Sequence, residues 1–302
     1  MSELRRHSRR TFLKTVGAVA AGHVLSPRAA LGSPQEKPRA VFAPKIGVCT
    51  SVANAGVLRQ SGADYIEAGV RRFLVPDKPE DAFTPNLKAA RECGLPVLSA
   101  NGFLPGSLKS TGPEANHEGV LKFAQTAFKR ARQAGIKTIV FGSSGSRRIP
   151  EGFDCGKAEQ QFIALLKKMG PLAGKHDVAV AIEPLQRRET NFINTVPQGA
   201  KIVRAVDHPN IRLLADIFHM LRMDEPPRHI REAGDLIVHL HIAEKAKRTP
   251  PGVAGDDFTG YFQALKDIGY KGLISIECGW KDLPHQLPVA IRILRDQMAT
   301  VS

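Results

Sequence analysis

Four side chains able to hold a metal ion, Glu183, Asp216, His241 and Glu277, each close a short apolar run of the β type. The runs are Val178-Ala179-Val180-Ala181-Ile182-Glu183, Ile211-Arg212-Leu213-Leu214-Ala215-Asp216, Leu236-Ile237-Val238-His239-Leu240-His241 and Leu273-Ile274-Ser275-Ile276-Glu277. Each follows the last at roughly the spacing of a strand–helix unit, and strands of a parallel barrel end on one rim, so the four can meet there. Three carboxylates and one imidazole make a hard, oxygen-rich donor set. It suits one divalent ion, Mn²⁺ first, then Mg²⁺ or Co²⁺, with Zn²⁺ admitted on affinity alone. Taken singly, an acid at a strand end caps a turn or pairs with a nearby lysine. Acids and histidines avoid strand interiors, however, so the same phase repeated in four units reads as a site.

These runs belong to a longer alternation. Strands are expected at 46–50, 65–70, 97–102, 138–142, 178–183, 212–216, 237–242 and 274–277. Between them lie amphipathic stretches. In 117–135, Val120, Ala124, Ala127, Ala131 and Ala134 recur at helical spacing before Gly135 stops the helix, and in 258–269, Phe262, Leu265 and Ile268 share one face. Eight such pairs without an internal boundary predict an α/β protein, a single-domain (β/α)₈ TIM barrel over residues 45–302. An open doubly wound sheet would need a Gly-rich nucleotide turn after its first strand, where Cys49-Thr50-Ser51-Val52 stands instead. The long segments 103–116 and 142–156 follow strand ends and therefore lie on the rim that carries active sites. Within the second, Gly142-Ser143-Ser144-Gly145-Ser146-Arg147-Arg148 reads as a mobile Gly/Ser loop before it reads as a phosphate cradle.

Residues 1–32 are set apart from this pattern. Ser8-Arg9-Arg10-Thr11-Phe12-Leu13-Lys14 resembles the twin-arginine export motif and is followed by a weak apolar run over 15–25 and a small-residue site, Ala30-Leu31-Gly32. That run is too short to span a bilayer, so a cleaved signal peptide, a periplasmic or exported product and no stable membrane anchor are expected. A Pro-rich linker covers 33–44, and removal of the leader leaves 270 residues, enough for one barrel. The formal charge is +14, of which the first 32 residues supply +5 through six Lys/Arg and one Glu. Spread positive charge mainly aids solubility, and no basic stripe interleaved with aromatics argues for nucleic acid. Cys49, Cys93, Cys155 and Cys278 lack paired spacing and read as single packed thiols, with a disulfide left open for an exported chain. A homo-oligomer is likewise left open.

Taken together, Ala181-Ile182-Glu183-Pro184-Leu185-Gln186-Arg187-Arg188-Glu189-Thr190, Asp216-Ile217-Phe218-His219-Met220, His241-Ile242-Ala243-Glu244 and Gly269-Tyr270-Lys271-Gly272-Leu273-Ile274-Ser275-Ile276-Glu277 resemble the xylose isomerase-like TIM-barrel superfamily, and within it ketose 3-epimerases of the tagatose/psicose type. The resemblance covers nearly all of the chain after the leader. It implies a small sugar as substrate, Glu183, Asp216, His241 and Glu277 as metal ligands, and Glu189 and His219 as residues that hold hydroxyls and carbonyl. It also implies that Glu183 and Glu277 flank the sugar, one removing the proton beside the metal-held carbonyl to give an enediolate and the other returning it from the opposite face. The epimerases carry an Arg shortly after the metal His, and here the loop is one residue longer, which leaves Lys247 or Arg248 as the candidate. The aromatic wall of the first half has no recognisable counterpart. Phe103 and Trp280 either stack on a sugar or pack against a helix, Glu67 either binds substrate or pairs with an arginine such as Arg71, and His239, one layer below His241, reads as a hydrogen-bonded core histidine.

Three other functions compete. A lyase or hydratase acting on 3-keto-glycosides would use the same residues, because the same proton abstraction can end in loss of a neighbouring group. An endonuclease IV-like nuclease would need His at the second and third strand ends, where Glu67 and Asn101 stand, and an Asp-x-His after the seventh strand, where Asp256-Asp257-Phe258 has none. A non-catalytic sugar-binding barrel is disfavoured by a complete ligand set.

Overall fold

The computed structural model describes residues 42–302; the export motif and most of the expected linker lie outside the described residues. Eight parallel strands close into one barrel in chain order: β1 (Lys45–Cys49), β2 (Tyr65–Gly69), β3 (Val97–Asn101), β4 (Thr138–Phe141), β5 (Ala179–Ile182), β6 (Ile211–Asp216), β7 (Ile237–Ile242) and β8 (Leu273–Ile276). Every expected strand is present with each end within one residue of the sequence reading. Helices α1 (Ala55–Gln60), α2 (Glu80–Glu92), α3 (His117–Ala134), α4 (Ser144–Arg147), α5 (Cys155–Gly174), α6 (Val196–Val206), α7 (Ile217–Arg222), α8 (Arg228–Ala233), α9 (Thr259–Asp267) and α10 (Leu283–Thr300) surround it. Among the described residues, no helix is long and apolar enough to cross a membrane.

Local chemistry explains the long helices. Asn116 caps α3 by accepting from Gly119 N at 2.8 Å, and Gly135 ends it in the left-handed conformation at φ 82°, where a side chain would be strained. Asp154 caps α5 and Thr195 caps α6 in the same way, with Pro197 in the first turn of α6, where its missing N–H costs nothing. The apolar faces of these helices pack on strands that are buried on both sides, so the strands read as near-continuous apolar runs. A chain of edge-on aromatic contacts through Phe103, Phe141, Phe162 and Phe192, with ring centroids 5.3–5.5 Å apart, ties β3, β4 and α5 together.

Alternation along each strand divides the barrel interior into layers. Tyr65, Glu67, Ser99, His239 and Ser275 form a buried polar layer next to the small apolar cluster of Val140, Ala181 and Leu214. The Tyr65 ring lies over Gly47 of the adjacent β1, where a Cβ would sit 2.3 Å from it, and its hydroxyl reaches Ser275 of β8 at 2.6 Å. One pleat further along are Glu183, Asp216, His241 and Glu277.

Candidate active site

Strand register brings the four expected ligands together. Asp216 ends β6 and pairs with His241 of β7, while His241 faces Ser275 of β8, so Glu277 follows one pleat beyond. Glu183 follows β5, whose Ile182 pairs with Phe141. One donor atom from each of Glu183, Asp216, His241 and Glu277 falls within 4.8 Å of the others. His241 Nδ1 lies 3.1 Å from Glu183 Oε1 and 2.8 Å from Glu277 Oε2. Three carboxylates in a shared pocket repel one another, and the imidazole and one guanidinium cannot balance them all. The donor set therefore fits a divalent cation with oxygen preference.

The electrostatics reflect that crowding. Burial, and the nearby Glu277 and Asp216, push the Glu183 carboxyl up despite its contact with His241. Burial also works against ionised Glu277 and Asp216, but His241 and Arg248 hold Glu277 below the usual carboxylate range, and His219, Arg248 and His241 do the same for Asp216. For His241, burial disfavours the charged ring, yet Glu67 and Glu277 outweigh it and hold its pKa well above the ordinary value.

Glu67 is the largest departure from the sequence reading, which placed it against substrate or an arginine. It is fully buried beneath His241, and its oxygens are occupied. Glu67 Oε1 lies 2.8 Å from His241 Nε2, while Oε2 accepts from Ser99 Oγ at 2.6 Å and Ser275 Oγ at 2.7 Å and lies 2.6 Å from His239 Nε2. The bond to Nε2 fixes the ring so that Nδ1 faces the carboxylate cluster, the arrangement by which a carboxylate orients and sharpens a metal-binding histidine. Burial opposes ionisation of Glu67, but His241 and His239 hold it well below the usual range. His239 occupies the core position expected for it. Cys49 also approaches His241 and Glu67 closely enough for the three to form a potential ligand group. Burial and the Glu67 charge keep its thiol protonated, which makes it a poor ligand.

Between Lys247 and Arg248, the structure selects Arg248. Its Nη2 lies 2.6 Å from Glu277 Oε2 and 3.2 Å from Asp216 Oδ2, its Nε donates to the Glu277 carbonyl at 3.0 Å, and its guanidinium sits 4.8 Å over the Phe218 ring. The loop that delivers it needs two successive left-handed residues, Lys247 at φ 56° and Arg248 at φ 54°. The buried Glu244 carboxylate holds that loop by accepting from Thr249 Oγ1, Gly252 N, Ala254 N and Gly255 N. On the other side, segment 142–148 is no loose Gly/Ser loop. It forms α4, and buried Arg147 donates to the carbonyls of Phe141 at 3.3 Å and Glu183 at 2.5 Å. Gly142 lets this segment lie against the site, since a Cβ there would fall 2.1 Å from Glu183 Oε2.

Above the cluster is a cavity of about 250 Å³ whose wall includes Asn101, Glu189, His219 and Arg248. His219 Nδ1 accepts a long bond from Gln186 N at 3.4 Å, so the ring proton belongs on Nε2. That Nε2 lies 3.4 Å from Asp216 Oδ2 but at an angle that makes no hydrogen bond, which leaves a buried donor without a partner beside the cavity. Glu189 is oriented by Gln186 Nε2 at 2.9 Å. Sequence reasoning missed Asn101 as a site residue, and its Nδ2 donates to Glu277 Oε1 at 3.0 Å. Phe103 is fully buried among Phe123, Phe128 and Phe141, and Trp280 packs partly buried against the core. Neither lines the cavity.

A family model described as xylose isomerase-like TIM barrel matches residues 56–297, most of the barrel. The chain belongs to the xylose isomerase-like TIM-barrel family. A putative hydroxypyruvate isomerase of Homo sapiens is 30% identical over 242 residues, covering 73% of this chain and 82% of that protein. An L-ribulose 3-epimerase of Methylomonas is 29% identical over 257 residues, covering 77% and 85%. A 3-dehydro-D-guloside 4-epimerase of Escherichia coli is 25% identical over 199 residues, covering 63% and 74%. The crystal structure of a D-psicose 3-epimerase with D-tagatose, from Clostridium cellulolyticum, superposes with a TM-score of 0.74 at 21% identity over 84% of this chain and 99% of that one, which shows the shared fold. These named relatives are isomerases and epimerases, and the chain is an enzyme.

Proposed function

We propose that the protein is a divalent-metal-dependent sugar isomerase or epimerase that moves a proton on the carbon beside a carbonyl, with Glu183, Asp216, His241 and Glu277 as metal ligands and Glu183 and Glu277 as the acid–base pair. The observation that carries this reading is the approach of the two glutamates from β5 and from the end of β8 to a single imidazole nitrogen, at 3.1 and 2.8 Å, under a small polar cavity. A bound cation of the Mn²⁺, Mg²⁺ or Co²⁺ kind would supply Lewis-acid stabilisation of the negative charge that grows on the carbonyl oxygen.

The chain's own residues divide the remaining work. One glutamate takes the proton from carbon as a carboxylate, and the other, in its acid form, gives a proton to the opposite face, so the carbon inverts and one proton has crossed the site. Return on the same face, to the neighbouring carbon, would give isomerisation. His219 Nε2 donates to a substrate oxygen, and Glu189 accepts from a hydroxyl. Asn101 donates to Oε1 of Glu277 and Arg248 to its Oε2, which fixes the plane of the carboxylate beside the reacting carbon. Beneath them, Glu67 acts as a positioning residue for His241.

A second reading, elimination from a 3-keto-glycoside, is favoured by one observation: the cavity continues past Glu277 into a larger space than a free ketose needs. The test is to incubate metal-loaded protein with free ketoses and 3-keto-glycosides in D₂O. Deuterium entering carbon with an unchanged molecular formula supports isomerase or epimerase, and release of an alcohol or sugar supports the lyase. Binding without either outcome overturns both. Export through the twin-arginine pathway is a further part of the proposal, supported by Ser8-Arg9-Arg10-Thr11-Phe12-Leu13-Lys14 and tested by cell fractionation with the paired arginines replaced by lysine.

A further inference from the structure

The central cavity does not end at the acid–base pair. Arg71, Asn101, Gly102 and Glu277 line it and also line a second cavity of about 900 Å³, which runs along the ends of β1 and β2 to Arg72, Phe73 and Asn86. A space of that size lies at the upper end of what small-molecule clefts offer and exceeds the central one several times over. A substrate that fills both carries a substantial group beyond its reacting carbons.

The far wall is built with care. Val70–Leu74 forms a single π-helical turn after β2, and Val75 then adopts φ 41°, a left-handed conformation that a β-branched residue seldom takes. Buried Arg130 holds this strained turn. Its guanidinium donates to the carbonyls of Leu74 at 2.9 Å, Val75 and Lys78 at 2.8 Å, stacks 5.3 Å over Phe83, and pairs with Glu80 at 3.3 Å. Asn86 Nδ2 adds bonds to the Arg72 and Phe73 carbonyls at 3.2 and 2.9 Å. The turn is thereby fixed on the cavity wall, and it carries Arg71 and Arg72.

Neither of those guanidinium groups forms an ion pair with a carboxylate among the described residues. The carboxylates on the cavity wall are already engaged, Glu67 with His239 and His241 and Glu277 with Arg248, Asn101 and His241. Exposed arginines are ordinary on a basic protein. These two differ in lining a cavity continuous with the acid–base pair, on a backbone locked from behind by a buried arginine.

We propose that the substrate is an acidic keto-sugar whose carboxylate or phosphate, remote from the reacting carbonyl, is held by Arg71 and Arg72 in the second cavity. Guanidinium forks match both anions, each offering paired N–H donors to two oxygens. The proposal rests on the isomerase and epimerase reading and names the substrate class of the same site.

The test compares D-fructose, D-fructuronate and D-fructose 6-phosphate, which differ at carbon 6 as hydroxymethyl, carboxylate and phosphate ester. Binding of each to the metal-loaded full chain is measured by calorimetry, for the native protein and for R71Q/R72Q, at low and high salt. At least one acid should bind on the order of tenfold to a hundredfold tighter than D-fructose, the range of a charge-assisted bond. The preference should collapse in R71Q/R72Q with an unchanged melting temperature, return in part in R71K/R72K, and weaken with salt. Whichever acid wins separates carboxylate from phosphate. Equal binding of the three, no binding of either acid, or a preference that survives R71Q/R72Q overturns the proposal. Deuterium entry from solvent is followed in the same samples and reads the other question. An arginine-dependent acid preference without exchange keeps the anion site and sinks the acid–base reading, whereas exchange without acid preference does the reverse.

Discussion

Replacing Glu67 with glutamine separates positioning from ligation, because the side chain keeps its shape and stays out of the metal's reach. The native carboxylate takes four contacts, from His241 and His239 at 2.8 and 2.6 Å and from Ser99 and Ser275 at 2.6 and 2.7 Å. A carboxamide can accept at only one oxygen, and its NH₂ would meet groups that are themselves donors. If the oxygen stays with Ser99 and Ser275, His241 Nε2 loses its acceptor and the ring loses both tautomer control and the neighbouring negative charge. Losing such a partner costs a metal site about 10- to 100-fold in affinity, which is about 1.4–2.7 kcal/mol. Stability should fall by about 1–3 kcal/mol for the buried donor left unpaired, partly offset because a buried carboxylate no longer has to be desolvated. Competition with a chelator, monitored for Mn²⁺, measures the first quantity, and thermal unfolding of the metal-free protein measures the second. His239→Gln is the control, since it breaks the same network but leaves His241 bonded to Glu67. It should lower the melting temperature with a much smaller change in metal affinity. An E67Q protein that melts normally and binds Mn²⁺ as tightly as the native chain would refute the assignment of Glu67 to His241.

Four further outcomes are expected. Glu183→Gln and Glu277→Gln should each lower solvent exchange at carbon by at least about 10²–10⁴-fold, as loss of a general acid or base does, measured by deuterium incorporation. His219→Ala should reduce kcat/KM by about 10- to 100-fold through loss of a hydrogen bond to substrate while metal affinity changes little, which steady-state kinetics and chelator competition together check. Gly142→Ala should impair metal binding, because its methyl group would sit 2.1 Å from Glu183 Oε2 and displace that ligand. Elemental analysis should find one divalent ion per chain, and stripping it should lower the melting temperature, by about 2.7 kcal/mol of stability when the free ion stands at 100 times its dissociation constant.

The strands and the gathering of Glu183, Asp216, His241 and Glu277 on one rim were legible in the sequence because both follow local rules. Strands buried on two faces read as continuous apolar runs, and parallel barrel strands all present their last residues to one side, so a phase repeated at Glu183, Asp216, His241 and Glu277 needs no long-range knowledge. What lies one pleat down was not legible. Glu67 meets His239 and His241 across 172 and 174 residues, a meeting set by how β2 and β7 stagger when the barrel closes. The same dependence on three-dimensional placement chose Arg248 over Lys247 through a loop tied to Glu244, turned Phe103 into the core, and converted an apparent Gly/Ser loop into a helix held by Arg147. Arg71 stood in the sequence as a possible partner for Glu67, and only the π-turn held by Arg130 sends it to the cavity wall instead. Periodicity fixes which face a residue shares, but the distance between two faces is a property of the closed barrel, and that is where the sequence alone stops.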